Sequence, residues 1–72
     1  MNLNELPLNN IGIIDELNCN ETTKRRLLDL GFIKGTKITP ILKSPSGDPT
    51  AYEIRKTIIA LRKEDSTLIT LK

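Results

Sequence analysis

The sequence predicts a mainly β fold, a small five-stranded barrel with one inserted α-helix. Three observations lead there. Five short β-rich runs are separated by turn signals, as in small antiparallel barrels that hide most of their sheet edges. One stretch among them carries both a helix start and a helix stop. The chain has 72 residues, which fits one domain over 1–72 and a single hydrophobic core. A domain of this length buries only about 60% of the surface its unfolded chain exposes, so that core must do most of the stabilising. Its raw material is narrow: of 27 apolar residues 21 are Leu or Ile, none is Val, and the only aromatics are Phe32 and Tyr52.

Leu3, Leu6 and Leu8 form an apolar lead-in, expected across one end of the core. Asn9 and Asn10 signal a turn, because Asn tolerates positive φ. Residues 11–17 hold three isoleucines and a leucine and read as the first strand. A helix follows, capped by Asn18 or Asn20, either of which can accept a free backbone N–H. Glu21 in its first turn suits the helix dipole. The helix runs to about Leu30 and stops at Gly31, where Leu27, Gly31 and Phe32 fit a Schellman ending. Leu27 and Leu30, one turn apart, are expected to face the core. Residues 37–42 read as the second strand, with Pro40 placing it at an edge or a bulge. An open edge there would permit weak self-association. Residues 44–49, Ser-Pro-Ser-Gly-Asp-Pro, are the strongest loop signal in the chain. Residues 51–55 alternate as a strand does, and 57–61 are a further β-rich run. A polar turn or short helical turn over 62–66 leads to a last strand over 68–71.

The composition removes most chemistry. Histidine is absent, and with it the commonest general base and metal ligand. Cys19 is the single cysteine; it has no disulfide partner and reads as a small buried or half-buried apolar residue. The acidic pairs Asp15–Glu16 and Glu64–Asp65 read as solvated surface, since neighbours on a strand point to opposite faces. Gly47 stands alone and makes no phosphate cradle, and Ser44, Ser46 and Ser66 have no base to activate them. No enzymatic activity, cofactor or metal site is expected. Eleven basic residues against nine acidic ones leave a net charge of +2, without the concentrated basic face of a nucleic-acid binder. Arg25 and Arg26 could in principle act in trans on a phosphoryl group; the simpler expectation pairs them with Glu21 or Asp29 one turn away. The first residues show no basic region and no apolar run, so a cytoplasmic location without membrane insertion is expected.

Four segments, in order, carry a family resemblance. Arg26-Leu27-Leu28-Asp29-Leu30-Gly31-Phe32-Ile33-Lys34-Gly35-Thr36 resembles the R-L-x-x-L-G-apolar-x-x-G-x signature of FeoA, ferrous iron transport protein A. Leu3-Asn4-Glu5-Leu6 is similar to its opening L-x-[DE]-L, Gly47-Asp48-Pro49 to its central G-D-P, and Ile59-Ala60-Leu61-Arg62 with Ile69 to its closing I-A-L-R…I. The sequence departs from that pattern at Asn9 and Lys56, where the family has glycine, at Ser46, where it has an apolar residue, and at Ser66, where it has alanine. The resemblance implies an SH3-like five-stranded barrel. It also implies a cytoplasmic accessory of ferrous iron uptake that docks on FeoB, a membrane transporter with a cytoplasmic GTP-binding domain. The expected contacts are Lys24 and Arg25 on the helix and Ser44, Pro45 and Ser46 in the loop, with Tyr52 beside it. The alternative is a stand-alone regulatory domain, similar to the C-terminal barrel of metal-dependent repressors.

Overall fold

The computed structural model describes residues 1–72. A 3₁₀ turn at Leu3–Glu5 precedes strand β1 (Gly12–Leu17), helix α1 (Glu21–Asp29), β2 (Lys37–Lys43), β3 (Thr50–Ile54), β4 (Thr57–Leu61), helix α2 (Lys63–Ser66) and β5 (Ile69–Leu71). The strands form one antiparallel sheet in the order β4-β3-β2-β1-β5. This is the five-stranded, mainly β architecture that the sequence predicts. Residues 62–66, readable as turn or helix, fold as α2.

Two register shifts bend the sheet. One lies between Ile14 and Glu16 on β1, the other between Pro40 and Leu42 on β2. A bulge adds a residue to one strand and increases the local twist. Pro40 therefore sits at a bulge and not at an edge, because β2 has neighbours on both sides. The strands with a single ladder neighbour are β4 and β5, and Asn2 bridges to Thr70 on the outer side of β5. The curved sheet wraps its inner face around Ile14, Ile38, Tyr52, Ile54, Leu61, Ile69 and Leu71, and Leu3, Leu27 and Phe32 fill the ends. Leu61 of β4 and Ile69 of β5 share this cluster although no ladder joins their strands. The barrel closes there through side chains. Gly12 permits one close approach: a Cβ at this position would stand 2.9 Å from Leu71 Cδ1 and 3.0 Å from Leu6 Cδ2.

Both ends of α1 have identifiable causes. Asn20 is the cap, its side chain accepting the Thr23 N–H at 2.8 Å. Asn18 instead donates its backbone N–H to the Leu68 carbonyl at 2.7 Å, which ties the helix entry to the segment before β5. At the other end the Phe32 N–H reaches the Leu27 carbonyl and the Gly31 N–H the Leu28 carbonyl, both at 3.0 Å. With Gly31 at φ +104°, this is the double bond pattern of a Schellman ending. The same reversal corrects one expectation. Leu27 is fully buried but Leu30 is 41% exposed, because Leu30 is the C-cap and the chain turns away beyond it. Leu8 likewise lies outside the core at 40% exposure, while Leu3 is buried and Leu6 packs against the cluster.

Candidate docking surface

The most featured surface is built on α1. Three exposed apolar side chains cluster in sequence at its end: Leu28 (39%), Leu30 (41%) and Ile33 (39%). Leu28 lies one position from the buried Leu27, so α1 turns one leucine inward and its neighbour outward. Between α1 and β1 runs a groove of about 260 Å³, lined by Ile14, Asp15, Glu16, Leu17, Lys24, Leu28 and Lys34. On the other flank of the helix a second depression of about 240 Å³ is lined by Glu21, Lys24, Arg25, Leu28 and Asp29. Lys24 and Leu28 belong to both. Lys34 Nζ stands 4.0 Å from Asp15 Oδ1, while Lys24 and Arg25 are exposed and form no ion pair. The surface therefore offers the exposed Leu28 between two depressions, with the unpaired cations Lys24 and Arg25 beside it.

Arg26 points elsewhere. Its guanidinium meets Asp65 of α2 at 3.1 Å and pairs with neither Glu21 nor Asp29. At its start α2 is held by Asp48, whose Oδ1 accepts the Lys63 backbone N–H at 2.8 Å. The loop over 44–49 is thus linked to α1 through α2. Inside the loop the Ser44 and Ser46 hydroxyls converge on the Asp48 carbonyl at 2.7 and 3.1 Å, and the Gly47 N–H donates to the Ser44 carbonyl at 2.8 Å. Pro45 and Ser46 are exposed and Ser44 is half-buried.

Tyr52 does not share this exposure. It is 1% exposed and belongs to the core, because β3 directs alternate side chains inward. Burial raises its pKa above the usual 10.0; the Ser66 and Thr50 hydroxyls beside it lower it, and the charge of Asp48 adds to the rise. A side chain placed so offers nothing to a partner. The other five predicted contact residues lie at the surface in two groups, Lys24 and Arg25 on α1 and Ser44, Pro45 and Ser46 in the loop. The sequence pattern placed Leu30 in the core and did not single out Leu28. The available signal was a run of apolar residues longer than one helix face can bury.

No group of three or more Cys, Asp or Glu side chains is placed to hold a metal ion. No helix is long and apolar enough to cross a membrane. Cys19 is half-buried against the core.

Comparison with known proteins is consistent along the whole chain. The model of the FeoA domain matches residues 1–72. A Fe(2+) transport protein A/Fe(2+) transporter FeoB fusion protein of Porphyromonas gingivalis is 32% identical over 69 residues, covering 96% of this chain and 8% of that protein. The chain thus spans a small fraction of that relative's length. Iron(II) transport protein A of Clostridium thermocellum has a solution structure that superposes with a TM-score of 0.95 at 29% identity, covering 100% of this chain and 44% of that one. The FeoA of Stenotrophomonas maltophilia, crystallised with zinc and described as a prokaryotic SH3 domain protein, is 32% identical with a TM-score of 0.84, covering 100% of this chain and 89% of that one.

Proposed function

The chain belongs to the FeoA domain family, and from that premise we propose that it is a cytoplasmic, non-catalytic accessory of ferrous iron uptake that docks on a FeoB-type transporter and modulates it. The observation that carries this reading is the Porphyromonas gingivalis relative, in which a segment matching 96% of this chain shares one polypeptide with a FeoB transporter. Covalent linkage holds two modules at high effective concentration and favours a contact between them.

The α1 surface suits that task. A productive interface has an apolar centre and a polar rim. Leu28 supplies an exposed apolar centre, and Lys24 and Arg25, which line the same depression, supply unpaired rim charges. Such rim cations steer association more than they add affinity. The loop over 44–49 is a second contact, linked to α1 through α2.

The test is a pull-down of the purified chain with the full-length transporter of the same cell, with and without GTP. Binding that is lost in the double variant Lys24→Glu, Arg25→Glu is the expected result and locates the contact on α1. Binding that survives the reversal moves the contact to the loop. No binding in either nucleotide state removes the transporter role.

A further inference from the structure

Strand β4 is a free edge of the sheet: its one ladder neighbour is β3, and their five pairs run without a bulge. The phase of this ladder follows from the turn. Arg55 and Lys56 form a two-residue hairpin loop, both at positive φ, and the residues flanking such a loop exchange hydrogen bonds. Ile54 and Thr57 are that pair, and pairs alternate from there. Ile58 and Ala60 therefore occupy the non-hydrogen-bonded positions, with their N–H and C=O groups directed away from β3 into solvent. Their side chains lie on the outer face. Ile58 is 62% exposed and Ala60 is exposed beside it, and their partners on β3 are Glu53 and Ala51.

The charges at the two ends of this edge are lopsided, and Glu53 of β3, paired with Ile58, is the acid beside its middle. Residues 55–63 contain Arg55, Lys56, Arg62 and Lys63 and no acid, while the rest of the chain holds seven bases and nine acids. The whole positive excess thus sits at the two ends of one strand. All four side chains are exposed, and none is in an ion pair.

We propose that the β4 edge is a strand-addition site for an extended segment of a partner protein, apolar at alternate positions and acidic at both ends. In strand addition the backbone hydrogen bonds supply affinity and the flanking groups supply selectivity. Ile58 and Ala60 offer the backbone groups and two exposed apolar side chains, and the four cations a match for acidic ends. A second copy of this chain fits poorly, because antiparallel pairing of two β4 strands sets Arg55 and Lys56 against Arg62 and Lys63 of the copy. A lipid surface fits poorly as well, since hydrocarbon would leave the outward N–H and C=O groups without partners. The site is separate from α1 and does not depend on the transporter reading.

The probe is a short synthetic peptide of alternating isoleucine and threonine with two aspartates at each end, titrated into the ¹⁵N-labelled chain. The expected result is saturable shifts centred on the Ile58 and Ala60 amides, slower hydrogen exchange at both, and at least tenfold weaker binding when the aspartates are replaced by lysines. Ala60→Pro removes an outward donor without removing a bond to β3 and is expected to weaken binding at least tenfold. The surface variant Arg62→Glu, Lys63→Glu is expected to do the same with the backbone untouched. Equal affinity for the lysine-ended peptide, shifts confined to α1, dimerisation through β4 without peptide, or use of the same two amides on phosphatidylserine vesicles would each overturn the proposal.

Discussion

At the scale of single residues, three side chains occupy a backbone region that L-residues avoid: Asn9 at φ +67°, Arg55 at +49° and Lys56 at +65°. Asn9 bears this easily, since Asn adopts the left-handed region more readily than most residues. Lys56 does not. Lys56→Gly is therefore expected to stabilise the fold by about 1 kcal/mol, read as a higher urea midpoint at unchanged slope. An unchanged or lower midpoint would show that the turn carries no such strain. Tyr52 gives a second residue-scale expectation. Its folded pKa lies above 10.0 because of burial, whereas in the unfolded chain it ionises near the ordinary value. Stability is then full below about pH 10 and falls as pH rises through the folded pKa, because the unfolded state loses its proton first. Denaturant melts across that range should show the decline, and Tyr52→Phe should flatten it.

At the scale of elements, α1 divides its leucines between core and surface. Leu27 is fully buried and Leu30 largely exposed. Leu27→Ala should cost about 2–5 kcal/mol through lost burial and a residual cavity, while Leu30→Ala should cost well under half of that in the same thermal melts. Equal losses would mean that the C-cap leucine packs more tightly than its exposure indicates. The C-terminal end of α1 was legible in the sequence because Gly31 and Phe32 act on their own backbone neighbours, whereas its start stayed open between Asn18 and Asn20, since the Asn18 N–H bonds to Leu68, which is remote in sequence. The position of Leu30 was not legible. Helical spacing places it over Leu27, but the spacing ceases to apply where Gly31 reverses the chain. Arg26 shows the same limit, since its partner Asp65 is remote in sequence, and nothing near Arg26 announces that α2 packs there. Pro40 was legible as an interruption; whether it marked an edge or a bulge depended on strand order. Of the candidate site, the exposure of Lys24 and Arg25 followed from helix charge, whereas the burial of Tyr52 followed from β3 phase, which neighbouring loop residues do not reveal.

At the scale of the whole molecule, a closed core leaves two kinds of surface unsatisfied. One is the exposed Leu28 with the unpaired cations Lys24 and Arg25 on α1, and the other is the open edge of β4. The loop over 44–49, α2 and α1 are linked through Asp48, Lys63, Asp65 and Arg26, so a contact at the loop and one at α1 rest on a connected support. The family's transport role and the free α1 surface together place the central claim on that helix. Amide hydrogen exchange of the chain, with and without the full-length FeoB-type transporter, tests it most directly. The account predicts slowed exchange across Glu21–Asp29 in the complex, and loss of that protection in the Lys24→Glu, Arg25→Glu variant. Unchanged exchange over α1 in a complex that demonstrably forms would contradict it.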